Sequence, residues 1–272
     1  MPVTDILNTQ FEKKATRDGY GAGLVEIGAE NPKVVVLEAD LSGSTKTKKF
    51  SEKYPDRFFN YGVAEQNLIG QAAGFALSGM IPVASSFAMF AAGRAWEIFR
   101  NSVGYPHLNV KVAATHAGIT LGEDGASHQI IEDIALMRVI PGNTVIVPAD
   151  YNQALAAIKA AVKFEGPVYL RLGRPNVPTI YAATDGAEPG GSHVLQSGGK
   201  VVFIACGVMV YEAFKAAALI EKETGTRITV IDAYSVKPLD AATILRETAD
   251  AKLVVTFEEH NIMAGLGGAV AE

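Results

Sequence analysis

The chain has a single cysteine, Cys206, and this is the first of several absences that narrow its possible functions. One cysteine cannot form an internal disulfide bond. No stretch combines a basic start, an apolar core and a small-residue cleavage site, the pattern of a secretory signal. No stretch reaches about 18 uninterrupted apolar residues, the length that a membrane span requires. The sequence therefore predicts a cytoplasmic protein without membrane contact.

Basic residues are also scarce. The chain carries 24 lysines and arginines against 29 aspartates and glutamates, which gives a net charge of −5 at pH 7. The longest basic cluster runs from Lys46 to Lys49, which is too short for an extended nucleic-acid interface. We therefore expect no nucleic-acid partner, while single arginines remain able to bind anionic small molecules.

Two common catalytic motifs are missing as well. There is neither a His-Glu-x-x-His sequence nor a pair of cysteines, so a zinc enzyme is not indicated. The Gly-Leu-Gly at residues 265–267 is followed by Val270 where a dinucleotide-binding motif would have its third glycine, which sets aside a nicotinamide dehydrogenase. The Glu-Glu-His at residues 258–260 is interpreted as a turn at the end of a strand.

What the sequence does contain is a regular alternation of short apolar runs and helical patterns. With 272 residues, of which 49% are hydrophobic, the chain can form one large or two medium domains. Strands are predicted at residues 34–39, 82–86, 110–115, 144–147 and 168–170. Helices are predicted at residues 18–29, 65–77, 88–103, 129–138 and 151–164. This order indicates an α/β fold with a parallel sheet covered on both faces.

The pattern changes at residues 173–199, which are rich in proline, glycine, serine and asparagine and are interpreted as a linker. Beyond it, a second α/β unit is predicted, with strands at 201–206, 228–232 and 253–257 and helices at 211–224 and 241–248. The predicted organisation is an N-terminal segment (1–16), a first domain (17–172), the linker (173–199) and a smaller second domain (200–272). We expect this second domain to be incomplete, because the sequence stops as another helix begins.

Glu65 is the most informative single residue. It opens the helix predicted at 65–77 and lies on the same side as the apolar stripe that begins with Leu68 and Ile69. An ionised carboxylate is costly in an apolar setting, so a group in that position takes up or shares a proton, as a general acid or base must. The alternative is a glutamate placed in the first helical turn by the helix dipole.

Ligands of open parallel sheets bind outside the carboxyl ends of the strands. The third predicted strand leads into residues 116–128, which hold His116, His128, Glu123 and Asp124 among three glycines. Such a loop concentrates proton-transfer and hydroxyl-binding groups on a backbone that can turn sharply. The alternative is a surface turn with Asp124 and the following glycine at its corner.

Four separated motifs resemble the carboxyl-terminal half of transketolase. They are Tyr-Gly-Val-Ala-Glu at 61–65, Ser-Phe-Ala-Met-Phe at 86–90, Thr-His at 115–116 and Leu-Gly-Glu-Asp-Gly-Ala-Ser-His-Gln at 121–129. The resemblance extends from about Arg17 to the end and implies a pyrimidine-binding domain followed by most of the transketolase C-terminal domain. Deoxyxylulose-phosphate synthase and the beta subunit of the pyruvate dehydrogenase first component share this architecture. The Leu-Gly-Glu-Asp-Gly loop, together with His116, is more similar to transketolase.

The resemblance implies thiamine diphosphate as cofactor and the transfer of a two-carbon glycolaldehyde unit from a ketose to an aldose. Glu65 is implied to contact the aminopyrimidine ring and to relay its proton, and Phe87 and Phe90 to line the pocket of that ring. Asp40 is also assigned to the cofactor site. A third aromatic residue of the family falls at Gly93 here, which leaves part of that wall in question.

The sugar substrate is implied to contact His116, Asp124 and His128, of which the two histidines are also assigned as catalytic. Imidazoles and a carboxylate can together hydrogen-bond several hydroxyl groups.

Arg17, Ser44 and Arg174 match the residues that bind the phosphate end of the substrate, for which planar guanidinium groups are well suited. Arg171 lies close enough in sequence to compete with Arg174 for this role.

The most consequential departure from the family is the absence of a Gly-Asp-Gly sequence, which transketolases use for the diphosphate and Mg²⁺. We therefore predict that this chain supplies no metal ligand and requires a separate N-terminal transketolase subunit as partner, in a dimer of heterodimers. The alternatives are a subunit like deoxyxylulose-phosphate synthase or the dehydrogenase beta subunit, or a non-catalytic regulatory subunit of the same fold.

Overall fold

The computed structural model describes residues 6–272, so the first five residues of the predicted N-terminal segment lie outside the described residues. Its strands are β1 (Lys13–Ala15), β2 (Val34–Glu38), β3 (Phe58–Asn60), β4 (Ile81–Phe87), β5 (Lys111–Thr115), β6 (Thr144–Ile146), β7 (Val168–Arg171), β8 (Asn176–Pro178), β9 (His193–Gln196), β10 (Val201–Ala205), β11 (Ile228–Asp232), β12 (Ser235–Lys237) and β13 (Leu253–Phe257). Its α-helices are α1 (Thr16–Glu30), α2 (Ser42–Thr45), α3 (Lys48–Lys53), α4 (Glu65–Leu77), α5 (Trp96–Phe99), α6 (Asp133–Arg138), α7 (Tyr151–Lys163), α8 (Met209–Thr224), α9 (Ala241–Thr248) and α10 (Leu266–Ala271).

A seven-stranded sheet in the order β12-β6-β7-β5-β4-β2-β3 forms the centre of the first domain. Every pair in it is parallel except β12 with β6. Alternate residues of β2 enter different cores, with Val35 and Leu37 on one face and Val34 and Val36 on the other. A strand buried on both faces reads as a continuous apolar run, and the predicted α/β fold with a parallel sheet is confirmed.

Helices α1 and α7 pack against each other on one face of this sheet. Helix α1 carries Arg17 near its start. The approach of α1 to α7 is so close that a Cβ atom at Gly19 would lie 2.0 Å from the carbonyl oxygen of Tyr151. Asp150 caps α7 by accepting a hydrogen bond from the Gln153 amide at 2.9 Å. The close α1–α7 contact therefore fixes where Arg17 projects.

Two of the predicted helices differ from the structure. The helix predicted at 88–103 is α5 between two π-helical segments, Met89–Arg94 and Arg100–Gly104. The Ala95 amide donates a hydrogen bond to the carbonyl oxygen of Phe90, 3.2 Å away and five residues earlier in the chain. A sequence search for α-helical periodicity does not detect this π-helical spacing. The helix predicted at 129–138 begins only at α6, because Ile130 pairs with Gly118 in an antiparallel bridge.

The second domain has a four-stranded sheet in the order β13-β10-β11-β9, in which only β9 is antiparallel. The segment 173–199 contributes two strands, β9 to this sheet and β8 to a two-stranded sheet with β1. β12 leaves the second domain and completes the edge of the seven-stranded sheet. Across residues 6–272, no helix has both the length and the apolar character needed to cross a membrane.

Candidate functional site

Glu65 begins α4 and is 1% exposed, so its inward orientation, predicted from the apolar stripe, is confirmed. Its Oε2 atom accepts a hydrogen bond from Nη1 of Arg94 at 3.2 Å, and the Arg94 side chain is 54% exposed. The two side chains line an open cavity at the start of the helix, together with residues 63, 64, 66 and 67. The buried carboxylate is therefore reachable from the surface.

Aromatic rings continue from Arg94 toward the loop after β5. The Arg94 guanidinium lies 5.4 Å from the ring centre of Phe90, and the Phe90 and Phe87 rings are stacked at 6.0 Å. His116 stacks on Phe87 at 3.8 Å, and His128 meets Phe90 edge-on at 5.2 Å. The ends of β4 and β5 thus bring together four predicted site residues from two segments of the chain, 87–90 and 116–128.

His116 is held as a neutral imidazole. Its Nε2 atom lies 3.2 Å from Nη1 of Arg17, which can only donate, so Nδ1 carries the proton and donates it to Oγ1 of Thr115 at 2.8 Å. Burial, followed by the nearby charges of Arg17 and Arg174, lowers the pKa of His116 to about 3. Its backbone is left-handed, with φ of 59°, a conformation that persists in a histidine only where the surroundings enforce it.

Arg17 connects this imidazole to the loop after β2. Its Nη1 atom also donates to the carbonyl oxygen of Ser44 at 2.9 Å, while its Nε atom is buried and has no hydrogen-bond partner within residues 6–272. The unpaired Nε donor of Arg17 is well suited to bind an anionic oxygen.

Beneath the loop after β2, Glu38 accepts hydrogen bonds from the Leu41 amide and the Thr45 hydroxyl, and burial raises the pKa of Glu38 to about 7.

The two candidate arginines near residue 172 have different environments. Arg171 is buried and binds Asp133 through Nε to Oδ2 at 2.8 Å and Nη2 to Oδ1 at 3.1 Å. Arg174 is partly exposed and donates to the Leu121 carbonyl and the Glu123 carboxylate. Arg171 is thus committed to a structural ion pair, and Arg174 remains the arginine beside the loop 116–128.

Two predicted site residues, Asp40 and Asp124, lie at the exposed margin of the candidate site. Asp40 is exposed, and its Oδ1 atom accepts a hydrogen bond from Asn60 at 3.1 Å. Asp124 is also exposed, and its charge acts on Arg17. At Gly93, a Cβ atom would lie 3.9 Å from the sulfur of Met89, so the side chain of Met89 borders the position where the third aromatic residue was expected.

Comparison with known proteins identifies the family. The model of the transketolase pyrimidine-binding domain matches residues 12–179, and that of the transketolase C-terminal domain matches residues 190–272. The chain belongs to the transketolase family.

Individual relatives agree with this assignment. The chain is 51% identical over 261 residues to the putative transketolase C-terminal section of Methanocaldococcus jannaschii, covering 95% of this chain and 81% of that protein. It is 38% identical to the 6-deoxy-6-sulfo-D-fructose transketolase subunit SqwH of a Clostridium species, covering 98% and 84%. The solved structure of a split gene transketolase, described as an inactive beta4 tetramer, matches with a TM-score of 0.89 and 53% identity, covering 96% and 85%.

Two residues of the candidate site were not predicted from the sequence. Arg94 pairs with Glu65 across 29 residues, and its position depends on the π-helical segment, which leaves no periodic signal. Glu259 contacts the loop 116–131 from the second domain. It follows the carboxyl end of β13, so applying the strand-end rule to the second domain would have indicated it.

Proposed function

We propose that this chain is the C-terminal subunit of a thiamine-diphosphate-dependent transketolase, which transfers a two-carbon ketol unit from a ketose to an aldose. One observation carries the proposal: a row of neighbouring side chains runs from Glu65 through Arg94, Phe90 and Phe87 to His116 and Arg17. In order, the row offers a buried carboxylate, a flat aromatic wall, a neutral imidazole and a guanidinium. These are the groups needed to hold an aminopyrimidine, a polyol and an anion.

The residues present fit the cofactor that the family uses. When bound, thiamine diphosphate supplies the group that accepts the electrons of the breaking carbon–carbon bond. Phe90 is half-buried, and the Arg94 guanidinium connects its ring to the Glu65 carboxylate; an aromatic face and a carboxylate in this region suit a flat ring that carries a basic nitrogen. Glu65 would share a proton with that nitrogen, and Phe87 and Phe90 would exclude water from one side of the ring.

The sugar would extend from this ring toward Arg17. The neutral His116 has one acceptor lone pair, on Nε2, so a sugar hydroxyl would take the place of the Arg17 guanidinium as its donor, without a change in the charge of the ring. His128 faces the same aromatic wall and can contact a second hydroxyl. Arg17 and Arg174 make the far end electropositive, which favours a phosphorylated or sulfonated substrate.

The diphosphate and Mg²⁺ are assigned to a separate N-terminal subunit, in a dimer of heterodimers in the cytoplasm. Within residues 6–272, no group of three or more His, Cys, Asp or Glu side chains could hold a metal ion. The sequence also lacks Gly-Asp-Gly. The names of two relatives, one a C-terminal section and one a split gene product, support a divided enzyme.

The test is release of glyceraldehyde 3-phosphate from xylulose 5-phosphate and ribose 5-phosphate, with thiamine diphosphate and Mg²⁺ present. We expect activity from this chain co-expressed with its N-terminal candidate and none from this chain alone. A parallel assay uses 6-deoxy-6-sulfofructose as donor, because a relative carries that name and a sulfonate would also suit Arg17. Activity of the chain alone would contradict the partner assignment, and a stable complex inactive with both donors would favour the regulatory alternative.

Arg17→Gln is expected to raise the KM for a phosphorylated ketose by about 10- to 100-fold, because a charged hydrogen bond to phosphate is lost. The KM for an unphosphorylated ketose should change much less. The measurement is steady-state kinetics of the co-expressed pair with both kinds of donor. Arg246→Gln, which removes a largely exposed arginine of α9, is the matched control. Equal effects on both donors would remove Arg17 from the phosphate-binding role.

The same variant has a readout that needs no activity. The charge of Arg17 is the second cause, after burial, of the low pKa of His116. Removing it should raise that pKa from about 3 while leaving it below the ordinary value of 6.5, because the imidazole stays buried. Titration of the ring signals by NMR detects this shift.

A further inference from the structure

The turn after β13 inserts a carboxylate from the second domain against the loop that follows β5. Glu259 is 8% exposed, and its Oε1 atom accepts hydrogen bonds from the amides of Ile119 at 2.8 Å and Thr120 at 2.7 Å. A charged acceptor shared by two amides binds more strongly than a neutral one. These amides lie three and four residues after His116.

Gly118 makes this close contact possible. Its backbone is left-handed, with φ of 82°, and a Cβ atom there would lie 2.2 Å from the Glu259 carboxyl carbon. No other residue type satisfies both conditions without displacing the carboxylate. The loop backbone and the Glu259 side chain are therefore in direct contact.

The same turn also holds the far end of the loop. The Asn261 amide and Nδ2 atoms both donate to the Ile131 carbonyl oxygen, at 3.0 and 2.7 Å. Arg171 fixes the turn itself by donating from Nη2 to the Glu259 carbonyl oxygen at 2.9 Å. The turn 258–261 thus clamps residues 119–120 and residue 131.

Between these clamped points, residues 122–127 contain two left-handed glycines and are mostly exposed. The position of His128 over Phe90, and that of Glu123 against Arg174, therefore depends on how the loop ends are held. We infer that Glu259 is a positioning residue: it holds the loop 116–131 in the shape that binds the sugar, without contacting the sugar itself. This inference rests on the proposed function for the role of the loop.

Glu258 provides a matched control within the same turn. Its Oε2 and Oε1 atoms accept hydrogen bonds from the amides of Leu266 at 2.6 Å and Gly267 at 2.9 Å, at the start of α10. Neighbouring carboxylates thus hold different segments. Replacing each in turn separates loss of the loop contact from general damage to the turn.

The first experiment is hydrogen–deuterium exchange of this chain in its complex, followed by mass spectrometry. Glu259→Ala should speed exchange of residues 117–131 by about 10-fold or more, because two charge-assisted hydrogen bonds are lost, while residues 264–272 stay unchanged. Glu258→Ala should instead speed exchange of residues 264–272 and leave exchange of residues 117–131 unchanged. Glu259→Gln keeps an oxygen acceptor and should retain most of the protection, which keeps the test valid if the alanine variant unfolds. Unchanged exchange of residues 117–131 in Glu259→Ala would overturn the inference.

The second experiment measures kinetics of the co-expressed pair. Glu259→Ala should raise the KM for the ketose donor about 10-fold or more while half-saturation by thiamine diphosphate is unchanged, and Glu259→Gln should restore most of the affinity. Glu258→Ala should leave both values unaltered. Faster exchange with an unaltered ketose KM would overturn the sugar-binding role. A wild-type pair that is inactive with every donor would overturn the proposed function and that role together, while the exchange result still decides whether Glu259 holds the loop.

Discussion

Replacing Glu65 by glutamine is expected to lower kcat of the co-expressed pair by about 10²- to 10⁴-fold, the usual contribution of a general acid or base. Glutamine matches the size of glutamate and keeps the hydrogen bond from Arg94, but it cannot exchange a proton. Steady-state kinetics at saturating thiamine diphosphate and donor measure the change.

The control is Glu52→Gln, which replaces a glutamate of α3 that is 65% exposed and pairs only weakly with Lys48 at 3.9 Å. It should leave kcat unaltered. The thermal unfolding of Glu65→Gln should stay close to that of the wild type, because the paired Arg94 side chain remains hydrated. A kcat within threefold of the wild type would show that Glu65 has no part in proton transfer.

The largest effect on stability is expected from Arg171→Met, which should lower the free energy of unfolding by about 3–5 kcal/mol. The substitution leaves Asp133 without its charge partner in a fully buried position, where, among residues 6–272, only the Tyr169 hydroxyl still donates to it, at 2.9 Å. Urea denaturation followed by circular dichroism gives the free energy.

Arg174→Met is the comparison, because its partner Glu123 is 83% exposed and such pairs contribute about 0–1 kcal/mol. The double variant Arg171→Met, Asp133→Leu should recover much of the lost stability, since no unpaired charge remains buried. If Arg171→Met and Arg174→Met had equal effects, the ion pair with Asp133 would not be the source of the stability.

The central strands of both sheets could be predicted from the sequence because their apolar runs are nearly continuous. Strands β2, β5 and β11 are examples, and each is buried along its whole length. The edge strands β3 and β12 could not be predicted, because Phe-Phe-Asn and Ser-Val-Lys lie in no longer apolar run, whereas the equally short β6 lies in the apolar run 144–147. Their pairing depends on where the rest of the sheet places its edges.

The site was predicted where it depends on strand ends and helix faces. His116 was predicted because it follows a central strand, and Glu65 because it shares a helical stripe with apolar residues, whereas Phe87 was predicted from the family resemblance. Two contacting residues, Arg94 beside Glu65 and Glu259 beside the loop after His116, were not predicted. Thr120 and Glu259, for example, are separated by 139 residues, and no local pattern encodes a contact of that range.

The crossing of β12 also joins the two domains of this chain through a shared sheet. Residues 235–237 follow the third strand of the second domain, yet they form the outer edge of the first domain beside β6. A polypeptide cut between the two domains would leave the outer edge of β6 without its partner strand, and an exposed strand edge promotes aggregation. The two domains of this chain are therefore expected to be stable only as one piece.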